Sequence, residues 1–151
     1  MRASYRRRRD EAYARGAREF DRLVEIPTFR DFVVLYIAEG YKRNRNVVSL
    51  CNSDPRAIEL AARWIGSLTE KRLVFSLQYH ADQRQEELRR YWGERLGVDG
   101  ELIRLPRKSN SGQLHRRSWR SEHGVLTVCA NDTLLRSRLQ AWIDRVEQDW
   151  G

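Results

Sequence analysis

The residue with the clearest chemical potential is Glu39, a single carboxylate that closes an apolar run. Residues 32–38 carry no charge, and Gly40 follows Glu39 directly. The run predicts a helix that starts at an N-cap on Thr28, is buried on most sides and stops at Gly40 in the left-handed conformation. An acid at the C-terminal end of a helix meets the negative end of the helix dipole. Glu39 therefore needs compensation, from a metal ion, a basic partner or exposure to water.

A second candidate is the stretch 104–120, which is basic and contains no acid. Its arginines suit phosphates and base edges, and a strand pair with a long basic loop can lie along a DNA groove. The alternative is an ordinary solvated loop. The candidate nucleic-acid contacts in this stretch are Arg104, Arg107, Lys108, Arg116, Arg117 and Arg120, with Trp119 as a stacking face.

Two further basic segments lie earlier in the chain. Lys42, Arg43 and Arg45 follow the predicted helix, and they extend the same surface if the next strand neighbours the 104–120 stretch. Four arginines in succession, residues 6–9, lead an amphipathic helical segment. That leader is either a nucleic-acid arm or a solvated terminus.

Composition narrows the class of partner. The 151 residues include 29 Lys and Arg against 21 Asp and Glu, which gives a net charge of +8 and a pI near 10.1. This balance favours polyanions, although it also serves solubility alone. No apolar run approaches the ~20 residues that a membrane span needs, and the charged start is unlike a signal peptide. We therefore expect a cytoplasmic protein in which Cys51 and Cys129 are reduced thiols.

Alternation and capping residues predict the elements that position these candidates. The predicted strands are 47–51, 73–80, 102–105 and 125–129. Asp54 before Pro55, Asp82 with Gln85, and Asp132 mark the starts of three helices. We predict a basic helical segment over 1–27 and an α+β domain over 28–151. The domain would be a mainly antiparallel sheet, with helices packed on one face and DNA on the other.

The chain also contains an internal echo. The segment 47–54 matches 125–132 at one constant offset, and the same offset takes Trp64-Ile65 to Trp142-Ile143. The echo predicts a pseudo-repeat in which two similar helices pack against two paired strands. The cysteine shared by the two segments would then be a small core residue and not a catalytic thiol. The alternative is coincidence, helped by the common use of Asp as a cap.

The run 32–40 resembles the LAGLIDADG motif of homing endonucleases. Leu35, Ala38 and Gly40 match the motif, and Glu39 takes the place of its acid. Val34 stands where that family has a small residue.

A second motif supports the same resemblance. The NSDP turn at 52–55 is similar to that family and to the WhiA-type bacterial regulators, which reuse the fold without cutting DNA. Together LYIAEG, NSDP and the later YW resemble a group of bacterial proteins with a LAGLIDADG-like domain, over roughly residues 28–148.

In that family two such helices pack side by side, and their acids hold divalent metal over the DNA backbone. The resemblance implies a homodimer through the 28–40 helix that binds double-stranded DNA. It also implies Glu39 as the catalytic residue and metal ligand, with Mg²⁺ as cofactor if the protein cuts and no cofactor otherwise.

Three functions follow as hypotheses. The preferred one is double-stranded DNA binding by a homing-endonuclease-like domain, with or without nuclease activity and in association with the bacterial nucleoid. The second is an active metal-dependent endonuclease that hydrolyses phosphodiester bonds through Glu39. The third is a protein-interaction module that binds an acidic partner.

Overall fold

A computed structural model of the chain describes residues 2–109 and 121–151, with only the backbone of 107–109. The helices in these ranges are α1 (Arg2–Leu23), α2 (Pro27–Glu39), α3 (Pro55–Leu68), α4 (Gln85–Leu96) and α5 (Thr133–Asp149), with a 3-10 turn at Gly100–Leu102. The strands are β1 (Val48–Asn52), β2 (Val74–His80), β3 (Ile103–Ser109) and β4 (Val125–Ala130). None of these helices is both long and apolar enough to cross a membrane.

The four strands form one mixed sheet in the order β1-β4-β2-β3. β4 runs antiparallel to both of its neighbours, β1 and β2. β2 and β3 run parallel to each other. The prediction of a mainly antiparallel sheet did not identify this parallel pair. The helical crossover α4 joins these two strands and returns the chain to the same end of the sheet, as parallel pairing requires. The α+β class is confirmed.

This strand order corrects the prediction of a strand pair around the 104–120 stretch. β3 pairs with β2, and β4 lies on the other side of β2, so β3 and β4 are not a hairpin. It also separates the two predicted basic surfaces, because β1 and β3 are at opposite edges of the sheet. At about 4.8 Å between strands, the two edges lie roughly 14 Å apart.

Local capping signals gave two helix starts correctly and one wrongly. Asp54 accepts a hydrogen bond from the backbone N–H of Arg56, and Asp132 accepts one from Leu135. Asp82 was predicted to cap α4 together with Gln85, but α4 begins at Gln85 and Arg84 holds the N-cap position. The Gln83 side chain instead accepts from the His80 N–H at 2.9 Å and so closes the turn after β2.

Both ends of α2 differ from the prediction. The helix begins at Pro27, with Ile26 as the N-cap residue, while the Thr28 hydroxyl accepts a hydrogen bond from the Trp64 indole at 3.1 Å. Gly40 is extended, with φ −72°, and not left-handed. Glycine is needed there because a Cβ would lie 2.4 Å from the Tyr36 ring.

The two segments of the internal echo lie next to each other in the structure. β1 and β4 pair directly, and Leu50 faces Val128, the residue that the echo makes its equivalent. The two equivalent tryptophans both pack edge-on against Phe29, Trp64 at 5.3 Å and Trp142 at 5.1 Å between ring centroids. The two strand–helix units therefore flank a single aromatic side chain of α2.

The α1 helix joins the same core through its second half. Phe20 and Leu23 belong to the continuous buried cluster that includes residues from the sheet and from α2–α5. Gly16 lets α1 cross closely over α5, since a Cβ there would lie 2.7 Å from the backbone carbonyl oxygen of Arg138. The Gly16 carbonyl in turn accepts from the Trp142 indole at 2.9 Å. The arginines of the leader, 6–9, are exposed.

Candidate nucleic-acid interface

Among the described residues, helices cover one face of the sheet and leave the other face free. Along β1, β2 and β4 buried residues alternate with more exposed ones, and the buried set belongs to the core. The alternate residues point away from the helices because successive strand side chains project to opposite faces. We call this second set the open sheet face. Its members are Ser49, Cys51, Val74, Ser76, Gln78, His80, Arg104, Val125, Thr127 and Cys129.

The open sheet face contains no carboxylate. Apart from Arg104 and the titratable His80, its side chains are small, apolar or uncharged polar groups. Gln78 and Cys51 are exposed, whereas Ser76 and Thr127, which pair across the two central strands, are half-buried. A strand surface without acids can approach a phosphate backbone without like-charge repulsion, and its hydroxyl and amide groups can donate to phosphate oxygens.

Tyr41 extends the open sheet face beyond β1. Gly40 forms an isolated bridge with Leu50, and the Tyr41 N–H donates to the Ser49 carbonyl at 2.8 Å. The missing Cβ of Gly40 would point at Tyr36 on the helix side, so Tyr41 takes the opposite face. The residue is 46% exposed, and an exposed ring on a sheet is a surface on which a base can stack.

Of the predicted basic contacts in 104–120, the structure places Arg104 on the open sheet face. Arg104 pairs with Ser76 and is exposed, without an ion pair among the residues that the structure describes. Arg107 and Lys108 occupy register positions opposite Gln78 and Tyr79. The remaining predicted contacts, Arg116, Arg117, Trp119 and Arg120, lie outside the described residues.

The second predicted basic group does not join this surface. Lys42 donates from Nζ to the carbonyls of Ile37 at 2.7 Å and Gly40 at 3.0 Å, so it caps the C-terminal end of α2. Arg45 donates to the Gln140 side chain on α5 at 2.6 Å, which places it with the helices. Arg43 is exposed in the connection between α2 and β1. These residues are separated from Arg104 because β4 and β2 lie between the two edge strands.

Glu39 is exposed at the last position of α2. The compensation expected for an acid at this end comes partly from water and partly from Lys42, whose ammonium binds the terminal carbonyls. Within the described part of the chain, no three His, Cys, Asp or Glu side chains cluster as metal ligands. The catalytic and metal-binding roles of Glu39 stay predictions.

The two cysteines do not occupy the core positions predicted for them. Cys51 is exposed and Cys129 half-buried, and both are on the open sheet face. Burial raises the pKa of the Cys129 thiol, while a hydrogen bond with Ser49 lowers it to a smaller extent. A raised pKa keeps the thiol protonated at neutral pH, which does not favour a nucleophilic role.

Several residues of the open sheet face were not predicted from the sequence, because β1 was expected to be a fully buried strand. Tyr41, Gln78 and Thr127 are the clearest omissions. The available signal in the sequence was the alternation of apolar and polar residues over 77–80, at the end of the predicted strand 73–80. Alternation of apolar and polar residues predicts a strand with one solvent-exposed face, and the side chains on that face are accessible to a ligand.

No protein-family model, no curated protein and no solved structure matches the chain. The family resemblance therefore continues to rest on the LYIAEG, NSDP and YW motifs.

Proposed function

We propose that this protein binds double-stranded DNA through the open sheet face. The observation that carries the proposal is a four-stranded surface that contains no acid in a chain of net charge +8. Its acids lie elsewhere among the described residues, several of them in ion pairs such as Glu19 with Arg138. A duplex that approaches from the free side would therefore meet arginine and neutral hydrogen-bonding groups.

The dimensions of the surface support a duplex as the ligand. From Tyr41 across the four strands to Arg104 there are four inter-strand spacings, or about 19 Å. That width exceeds the roughly 12 Å of a major groove, so such a surface can contact the groove and both phosphate backbones beside it. The resemblance of residues 32–40 to the LAGLIDADG motif agrees with this mode of binding.

A steep salt dependence tests the proposal most directly. Log affinity for random duplex should fall steeply with log salt, because each neutralised phosphate releases counterions. A module that binds an acidic protein partner would show weak binding to duplex and a shallow slope. Fluorescence anisotropy with a labelled duplex of about 20 base pairs, between 50 and 200 mM salt, separates the two.

Arg104→Gln should weaken duplex binding about fivefold to tenfold and reduce the salt slope by about 1, because one phosphate contact is lost. Arg63→Gln is the matched control: it removes the same charge from an exposed position on α3, on the helix side. The control variant should keep its duplex affinity and its salt slope near those of the unchanged protein. Equal losses in the two variants would show that only net charge matters, against a contact at Arg104.

We also propose that the protein binds as a homodimer through α2. Val34 and Ala38, one turn apart, are exposed on the helix side that does not face the core, and Tyr41 follows them. Small and medium apolar residues on one exposed helix stripe are a surface that a second copy can cover. Sedimentation equilibrium at micromolar protein with and without duplex measures the mass, and a monomer in both conditions would contradict the dimer.

A second candidate function is metal-dependent cleavage of DNA. The observation in its favour is Glu39, an exposed carboxylate beside the residues that bridge to the edge of the sheet. Carboxylates are the hard ligands that Mg²⁺ prefers, and bound Mg²⁺ would polarise the phosphate and activate water. Incubation of supercoiled plasmid with the protein and either Mg²⁺ or Mn²⁺ assays this activity.

If the chain cuts DNA through this site, Glu39→Gln should reduce cleavage by about 100-fold or more, because the amide keeps the shape but loses the charge that holds the metal. Glu25→Gln, at another exposed acid, is the control and should cut normally. Cleavage that survives Glu39→Gln would remove Glu39 from the reaction. Absence of cleavage by the unchanged protein would leave DNA binding without catalysis.

A further inference from the structure

Arg136 on α5 is a buried cation without adequate partners. Its side chain is almost fully enclosed, with 1% of the residue exposed. The Nε and Nη2 atoms find no hydrogen-bond partner among the described residues, and only Nη1 donates, to the Gln140 side-chain oxygen at 3.0 Å. Buried guanidinium groups are normally paired with acids or saturated by hydrogen bonds, because desolvation of the charge is costly.

The surroundings of Arg136 add positive charge. The Gln140 oxygen that accepts from Arg136 also accepts from Arg45 at 2.6 Å, so two guanidinium groups share one neutral acceptor. Burial is the main cause of a lowered pKa of Arg136; Tyr36 opposes it in part, Arg45 lowers the pKa to a lesser extent, and Asp144 has the smallest, raising effect. Asp144 is itself occupied, since it accepts from the Tyr13 hydroxyl at 2.7 Å and from Gln140 at 2.8 Å.

These groups line a cavity between α1, α5 and the connection before β1. The volume of the cavity is about 230 Å³. The lining residues are Arg9, Asp10, Tyr13, Arg45, Arg136, Ser137 and Gln140. Three arginines face a single acid across this space, and the Ser137 hydroxyl beside them can donate a further hydrogen bond. Arg9 and Arg45 are exposed, so their long side chains can move around an entering ligand.

We propose that this cavity binds a phosphate group, as inorganic phosphate or as the terminal phosphate of a small phosphoester. Guanidinium groups match tetrahedral oxyanions in geometry and charge, and a bound phosphate would supply acceptors for the donors of Arg136 and Arg45. The cavity is smaller than the roughly 300–1,000 Å³ of sites that enclose larger organic ligands, so its size favours a compact anion.

The inference is independent of DNA binding. The cavity lies among α1 and α5, in the helix layer, whereas the open sheet face lies on the other side of the strands. A duplex seated on the open sheet face would thus leave the cavity free. A site for a small phosphate on the helix side would give the protein a second ligand, distinct from the polynucleotide.

The test is isothermal titration calorimetry, which measures the affinity of the full chain for inorganic phosphate at an ionic strength kept constant with chloride. Arg45→Gln should weaken phosphate binding at least tenfold, and Arg136→Met should abolish it. Arg43→Gln is the matched control, because it removes an exposed arginine from the same connection but not from the cavity. It should bind phosphate as the unchanged protein does. Thermal melts of the same four proteins, with and without phosphate, should show a stabilising shift in the two binders only.

Two outcomes would overturn the proposal. The first is absence of phosphate binding, or equal binding by Arg45→Gln and Arg43→Gln, since a general salt effect would act on both alike. The second is weaker duplex binding by Arg45→Gln alone without any effect of inorganic phosphate, which would assign these arginines to the DNA backbone. If Arg136→Met fails to fold, Arg45→Gln decides the question, because its position is exposed.

Discussion

A variant that carries both Gln78→Glu and Cys51→Glu is expected to bind duplex DNA at least about 100-fold more weakly, a loss of ~3 kcal/mol. Both positions are exposed on the open sheet face, and the two residues are not paired directly opposite each other in adjacent strands. The two new carboxylates would lie against the phosphates of the proposed complex. Like charges brought together at an interface cost several kcal/mol, while their cost to the free fold is small at exposed positions.

The control is the pair Arg63→Gln and Arg90→Gln, which changes the net charge by the same amount at exposed positions of α3 and α4. These positions are on the helix side of the sheet, and exposed charges separated by more than roughly 8 Å are largely screened at physiological salt. The control should therefore lose only a few-fold in affinity. Anisotropy titrations of both variants at 150 mM salt make the comparison, after circular dichroism has shown that each is folded. Similar losses in both would place the DNA elsewhere.

Replacing Glu19 by alanine is expected to lower the free energy of unfolding by about 3–5 kcal/mol. Glu19 accepts two hydrogen bonds from Arg138, from Nε at 3.0 Å and from Nη2 at 2.9 Å. The two side chains are only 13% and 10% exposed, and the guanidinium lies over the Trp142 ring. Removing the acid would leave a cation enclosed between α1 and α5 without its counter-charge.

Urea denaturation measures this loss, with Glu11→Ala as the control. Glu11 pairs with Arg7 on the exposed surface of the same helix, where an ion pair contributes at most about 0.5 kcal/mol. A double variant, Glu19→Leu with Arg138→Met, should recover most of the stability, because it removes both charges together. A Glu19→Ala variant as stable as the control would mean that Arg138 finds water or another acceptor when Glu19 is gone.

The features that the sequence predicted correctly are those that depend on residues close together in the chain. The α+β class, the strands 47–51 and 125–129 and the caps Asp54 and Asp132 are set by a few neighbouring residues. Asp82 is not the cap because α4 begins only at Gln85, and the turn before it is closed by the Gln83 side chain, which accepts from the His80 N–H.

Which face of the sheet is free, and which basic residues reach it, depended on pairing between distant segments. β4 enters between β1 and β2, and this one placement separates Arg45 from Arg104. Nothing within the 41–47 connection could indicate it, because strand partners are chosen by the burial that the whole core achieves.

The sequence by itself determined the elements, the caps Asp54 and Asp132, the positive charge and the echo between 47–54 and 125–132, because those depend on residue type and near spacing. Only the tertiary structure decided the strand order, the acid-free surface, the demand for glycine at position 40 and the enclosure of Arg136. These features depend on contacts between side chains that are far apart in the sequence, and packing of the complete core fixes those contacts.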